Sequence, residues 1–283
     1  MASYRYVVVD VFTDVPLAGN QLAVFTDARG LAADRMQALA LEVGFSETVF
    51  VLPAGGEGHA SIRIFTPRAE LRFAGHPILG SAFVLAAPLQ LGLIRLETAT
   101  GVVPVELERD EWGGVVFGRM RQPVPTVAPA PSPDVLLGAL GVERSAVPIE
   151  LYDNGVRHVY VALESEAAVA ALKPDLAGLA QYDPDGTTCF AGGGSRWKSR
   201  MFAPALGVPE DPATGSAAGP LACHLARHGL IDWGEEIEIS QGVEIGRPAT
   251  LYARAFGSDG LIDAVEVGGS AVVVARGEFR LPD

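Results

Sequence analysis

His76-Pro77-Ile78-Leu79-Gly80-Ser81-Ala82 is stated twice in this chain, returning 135 residues later as Asp211-Pro212-Ala213-Thr214-Gly215-Ser216-Ala217 with the leading base replaced by an acid. The lead-in repeats too: Arg63-Ile64-Phe65-Thr66-Pro67 precedes the first copy, and Arg200-Met201-Phe202-Ala203-Pro204 precedes the second. A glycine turn feeding an apolar strand, Gly19 to Phe25, has a looser counterpart in Gly155 to Val161. Three echoes in one order at nearly one offset point to two homologous halves, not to the many short units of a solenoid. Function is then expected where the halves meet.

The 283 residues suffice for two domains of ordinary size, each with its own core. Apolar residues at 49% against charged residues at 19% describe a globular chain, not a disordered one. A net charge of −13 repels phosphate backbones and anionic lipid heads, so neither nucleic acid nor a membrane is expected as a partner. Met1 to Phe12 reads as a first strand, because Asp10 interrupts its apolar run too early for a signal peptide. Phe73 to Ile94 lacks Asp, Glu, Lys and Arg, but His76, Pro77, Gly80, Ser81, Pro88 and Gln90 break it. What remains is a short buried helix near Ile78 to Ala87, ended by Pro88. Two cysteines, Cys189 and Cys223, are too few for a disulfide framework, match no zinc spacing and suit a reducing cytoplasm.

Strands are expected at Tyr4 to Phe12, Leu22 to Phe25, Thr48 to Leu52, Ile62 to Phe65, Leu93 to Glu97 and Val102 to Glu108. An amphipathic helix is expected over Ala33 to Val43, and the all-round apolar helix after Pro77 calls for burial inside a curled sheet. The proline-rich stretch from Gln122 to Pro133 reads as an extended linker between halves. Beyond it the pattern recurs, with a second mostly apolar helix from Gly215 to His228 and four late strands. The last of these, Ala271 to Phe279, can finish the second sheet or cross back to the first.

Each Gly-Ser-Ala is expected to open a helix whose free backbone N–H groups can hold an anion. The plain structural alternative is that Ser81 and Ser216 merely sit in a first turn and Asp211 caps its helix. His76 and Asp211, titratable groups at equivalent places in two halves, favour proton chemistry. Glu47, close in sequence to Phe45, Val49 and Phe50, is either an outward-facing strand residue or a carboxylate in a partly dry pocket, where burial raises its pKa. His224 and His228 have the spacing of a metal pair but no third ligand visible in sequence, so no metal is assigned. Gly192-Gly193-Gly194-Ser195-Arg196 lacks the lysine of a P-loop and reads as a mobile loop. Neither serine lies in Gly-x-Ser-x-Gly, which gives no support to a nucleophile-elbow hydrolase.

Five motifs taken together, Gly19-Asn20-Gln21-Leu22-Ala23-Val24-Phe25, Ser46-Glu47-Thr48-Val49-Phe50, Phe73-Ala74-Gly75-His76-Pro77, Asp211 to Ala217, and Gln241-Gly242 with Gly246-Arg247-Pro248, resemble the PhzF-like phenazine biosynthesis family. The resemblance implies an α+β, diaminopimelate epimerase-like fold. It has two homologous domains, each a barrel-like sheet round a central apolar helix with the active site in the cleft between them; the proline-rich linker sets their bounds at residues 1–121 and 134–283. It also implies a cytoplasmic, homodimeric isomerase that works without cofactor by moving a proton on a small carboxylate. Glu47 would be the general acid/base, His76 and Asp211 would assist and orient, and Ser46, Gly75, Gly215 and Ser216 would line the ligand. Some relatives of this fold are racemases using one cysteine from each domain; here His76 and Asp211 stand at the equivalent motifs instead. The alternatives are an epimerase or lyase in the same cleft, or a metabolite-binding protein without turnover.

Overall fold

The computed structural model describes residues 2–182 and 184–281. The chain divides into two compact units, Met1–Arg121 with Gly268–Asp283, and Gln122–Val267.

The first unit carries strands β1 (Ala2–Val11), β2 (Asn20–Phe25), β3 (Glu47–Leu52), β4 (Ala60–Phe65), β5 (Glu70–Leu71), β6 (Leu93–Thr98), β7 (Gly101–Arg109) and β8 (Val115–Gln122), with helices α1 (Ala33–Val43) and α2 (Gly75–Leu89). The chain's last strand, Ala271–Leu281, pairs antiparallel with β1. From it the ladder runs β1, β2, β3, β4, β6, β7, β8, with β5 on β4; β2 with β3 and β4 with β6 are parallel pairs.

One face of β2 carries Asn20 and Leu22 and the opposite face carries Phe25, as period-two alternation demands. On the Phe25 side an aromatic row crosses five strands. Phe279, Tyr6, Phe25, Phe50 and Phe65 follow one another at centroid spacings of 4.8–5.5 Å, and α1 covers them with Met36, Leu39 and Ala40. On the Leu22 side lies α2, in contact with β1, β2, β3, β6, β7 and the last strand, so the sheet curls round it. The sheet is curled as expected and does not close.

Helix α2 begins at Gly75, three residues before the expected start. Gly80-Ser81-Ala82 therefore lies inside a helix, not at its opening. Pro77 falls in the first turn, where its missing N–H costs no hydrogen bond, and Pro88 falls in the last turn without ending it.

The second unit repeats the plan. Strands β9 (Thr126–Pro129), β10 (Glu150–Asp153), β11 (Arg157–Ala162), β12 (Gly186–Gly193), β13 (Arg196–Ala203), β14 (Val208–Asp211), β15 (Glu236–Gln241), β16 (Ala249–Ser258) and β17 (Leu261–Gly269) accompany helices α3 (Pro133–Leu140), α4 (Glu166–Ala171), α5 (Leu176–Gln181) and α6 (Gly215–Arg227). The last strand is thus β18. The stretch read as a linker contains β9, which pairs with β10 through Thr126 to Pro129. Val159 and Val161 of β11 face a layer formed by Leu136, Leu140, Val169 and Leu179 of the three short helices. His158 and Tyr160, on the other face, meet α6. Gly192 to Arg196, expected as a mobile loop, is the tight end of the β12–β13 hairpin. It is tied down by Trp197 Nε1 donating to Gly194 O at 2.8 Å and by Glu238 N donating to Ser195 O at 2.7 Å.

Candidate active site

In the first unit Glu47 opens β3 and His76 sits in the first turn of α2. The parallel pairing of β2 with β3 sets Leu22 opposite Glu47, and α2 packs against both strands. Glu47 Oε2 lies 3.4 Å from His76 Nε2, with the two side chains 16% and 4% exposed. Of the two readings left open for Glu47, the structure takes the partly dry pocket. Burial pushes its carboxyl up to about 7, against an opposing hydrogen bond from Ser46. Asn20, at the start of β2, bridges the group: Ser46 Oγ donates to its Oδ1 at 3.1 Å, and its Nδ2 lies 3.3 Å from His76 Nδ1. A carboxyl near neutrality beside an imidazole can take a proton from carbon and give one back at physiological pH. Gly75 is the first residue of α2, one position before His76.

In the second unit Asp211 ends β14 and is buried, at 5% exposure; Thr214 Oγ1 donates to its Oδ2 at 2.6 Å. Gly215 and Ser216 form the first turn of α6. Pro220, inside that helix, cannot donate to the carbonyl four residues back, which is Ser216 O. Asn154 Nδ2 donates there instead at 2.9 Å. Gln122 Nε2 and Tyr160 OH donate to the neighbouring carbonyls of Gly215 and Ala217 at 2.7 and 2.8 Å, so three side chains donate to the carbonyls of this turn. The Ser216 hydroxyl lies 3.1 Å from His158 Nε2, and burial pushes that imidazole down to about 4, so it is neutral at pH 7. Asn20, Asn154 and His158 were not singled out from sequence. Asn20 and His158 do lie inside quoted stretches, Gly19 to Phe25 and its looser echo Gly155 to Val161, but nothing in the sequence marked either as part of a site.

The remaining candidates sort themselves by chemistry. Cys189 and Cys223 are buried and free, and burial pushes both thiols up to about 12, which leaves no thiolate for two-thiol racemisation. His224 and His228 do meet a third group that spacing could not reveal, Glu150, at 3.2 and 3.0 Å from its Oε2. The same oxygen accepts from Arg227 Nη1 at 2.8 Å and from Tyr152 OH at 2.9 Å. Burial would raise this carboxyl, but the hydrogen bonds from His224, His228 and Tyr152 and the guanidinium outweigh it and hold Glu150 at about 2. A cation already neutralises that carboxylate, and a metal dication would sit against it, so the cluster is an ion-pair hub. No helix among the described residues is long and apolar enough to cross a membrane.

Comparison with known proteins identifies the family and the fold. The profile of the phenazine biosynthesis-like proteins, PhzC-PhzF, matches residues 9–277. The trans-2,3-dihydro-3-hydroxyanthranilate isomerase of Pseudomonas aeruginosa is 53% identical over 278 residues, which cover 98% of this chain and 100% of that one. Among solved structures, a PhzF-family phenazine biosynthesis protein of Bacillus anthracis superposes with a TM-score of 0.87 at 26% identity, over 99% of this chain and 100% of that one. A hydroxyproline epimerase of Agrobacterium vitis superposes with a TM-score of 0.71 over 99% and 93% of the two chains. At 11% identity that likeness speaks for the epimerase-like fold alone.

Proposed function

The chain belongs to the phenazine biosynthesis-like, PhzC-PhzF, family and is an isomerase, and from that premise we propose that it moves a proton between carbons of a small ring carboxylate without a cofactor. The substrate class we assign is that named for the Pseudomonas aeruginosa relative, trans-2,3-dihydro-3-hydroxyanthranilate. The observation that carries this reading is the half-buried Glu47 carboxyl, raised to about 7 and 3.4 Å from His76 Nε2.

As the carboxylate, Glu47 takes a proton from an activated ring carbon, and the C–H electron pair enters the conjugated system. As the acid, it returns the proton to a carbon at the other end, and the double bonds shift. Atoms and electrons balance with no oxidant, and the carboxylate is regenerated. His76 shares the proton load and holds the Glu47 rotamer. Asp211 assists and orients the substrate, while Ser46, Gly75, Gly215 and Ser216 line it. The reading includes a homodimer acting in the cytoplasm, as the family resemblance implies.

The test is Glu47→Gln, which keeps shape and removes the transferable proton. Turnover is expected to fall by about 100-fold or more while ligand affinity stays within a few fold. In deuterated buffer the wild-type product gains one mass unit at carbon once the reaction reaches equilibrium. Full turnover by the variant, or full turnover of the wild type with no deuterium at any carbon, would overturn the mechanism.

A further inference from the structure

The Gln241-Gly242 pair contributes no group to the reaction as described, yet its side chain is nearly fully buried, at 3% exposure, beside Asp211. Its hydrogen bonds assign every donor. Nε2 donates to Asp211 O at 2.8 Å, and a carbonyl can only accept. Oε1 receives the Thr214 backbone N–H at 3.4 Å, and Ser199 Oγ donates to it at 3.3 Å. The amide orientation is therefore set by two backbone groups. The second Nε2 hydrogen points at Thr214 Oγ1, 3.0 Å away. A hydroxyl that accepts from an amide has its single hydrogen left to give, and Thr214 Oγ1 gives it to Asp211 Oδ2 at 2.6 Å.

We infer that Gln241 is a positioning residue for Asp211, acting through the Thr214 hydroxyl, so that amide, hydroxyl and carboxylate form a one-way relay that holds the Asp211 carboxylate in a single orientation. Asp211 Oδ2 takes a hydrogen bond that a water or a rotated threonine could otherwise supply in several geometries, and a fixed carboxylate acts on substrate without reorganising. Gly242 is the hinge of the same clasp. It has φ +76°, and a Cβ there would lie 2.3 Å from Arg247 O and 2.5 Å from Pro212 O, the carbonyl next to Asp211. Only glycine lets the chain after Gln241 pass this close to the Asp211-Pro212 turn. The inference rests on the reading of Asp211 as a participant in the isomerisation.

The experiment is a set of substitutions assayed for kcat, KM and thermal midpoint. Thr214→Val removes the hydroxyl at constant shape, and Gln241→Glu replaces the donating amide with a group that cannot donate when ionised. Each is expected to lower kcat by about tenfold or more, with KM changed less than threefold. As the pH falls and the new carboxyl takes up a proton, Gln241→Glu should close part of its gap to wild type measured at the same pH, whereas Thr214→Ser, which keeps the hydroxyl, should stay within about threefold of wild type. In an Asp211→Asn background neither Thr214→Val nor Gln241→Glu should cost anything further, because both act through the lost carboxylate. Losses that add in that background would mean a merely structural role and overturn the inference. Unimpaired Thr214→Val beside impaired Asp211→Asn would overturn the inference alone. Full turnover by Asp211→Asn would overturn the reading of Asp211 itself and the inference with it.

Discussion

At the scale of single residues, Glu47 is a buried carboxyl whose charge is held against the stability of the fold. Its carboxyl stands near 7 in the folded chain against 4.5 ordinarily, because burial disfavours the charge. The folded state thus binds a proton more readily than the unfolded one. Stability from this group is complete below the ordinary value and is lost as the pH rises through about 7. Glu47→Gln should therefore raise the melting temperature at pH 8 and barely change it at pH 4, as scanning calorimetry at the two pH values would read. An equal displacement at both would mean the carboxyl is not titrating as described. Sequence named Glu47, His76 and Asp211, because motifs preserve residue type and order. It did not find His158 or Asn154, since one meets Ser216 and the other repairs the gap left by Pro220 only after β11 and α6 have packed.

Helices and strands were legible in proportion to how far their periodicity ran. Helix α1 spans the eleven residues that its apolar spacing marks, Ala33–Val43. The helices α4 and α5 have six residues each, too few for a 3.6-residue period to repeat, and they passed unread. Their only local signals were the caps, Ser165 Oγ accepting from Ala168 N and Asp175 accepting from Ala177 N. The repeated phrase misled in one respect. In the first copy the helix starts before His76, whereas in the second Thr214 turns back to Asp211 and the helix opens only at Gly215. Glycines in two helices give opposing predictions. A Cβ on Gly80 of α2 would lie 2.7 Å from Leu22 Cδ2 and from Val11 Cγ2, so Gly80→Ala overpacks the core at a cost of about 1–3 kcal/mol, more than the helix propensity gained. Gly138 of α3 has nothing within 4 Å, and Gly138→Ala should stabilise by up to about 1 kcal/mol. Denaturant midpoints moving in opposite directions would bear this out; a common direction would mean that propensity or packing alone governs both.

Over the whole molecule, the duplication was plain from three echoes, but the destination of the last strand was not. Residues Ala271 to Phe279 alternate in a way that suits either sheet, so pairing had to decide it. The structure pairs β18 with β1 from Ala2 opposite Leu281 to Val11 opposite Ala271, with one bulge after Val8. The first unit is consequently built from both ends of the chain, and β1 has β2 on one side and β18 on the other. Phe279 also caps the aromatic row, 5.3 Å from Tyr6 and 5.8 Å from Phe25. Gly277, opposite Tyr6, leaves the room in which the ring lies, since a Cβ there would come within 2.6 Å of it. Removing residues 271–283 would strip one whole edge of β1 of its partners, a strand containing Val7, Val8 and Val9 in succession. An exposed, apolar strand edge of that length is a template for pairing with other chains. The truncated protein should therefore aggregate in size-exclusion chromatography and lose its cooperative thermal transition. Gly277→Val, which keeps β18 but drives the Tyr6 ring from its place, should lower the midpoint by several degrees without aggregation, for the ladder hydrogen bonds remain. A truncated chain that eluted as one sharp species and melted within about 2 °C of wild type would show that β18 adds little to the first unit. In that case the stability of the unit would have to come from α2 and the curl of the remaining strands alone.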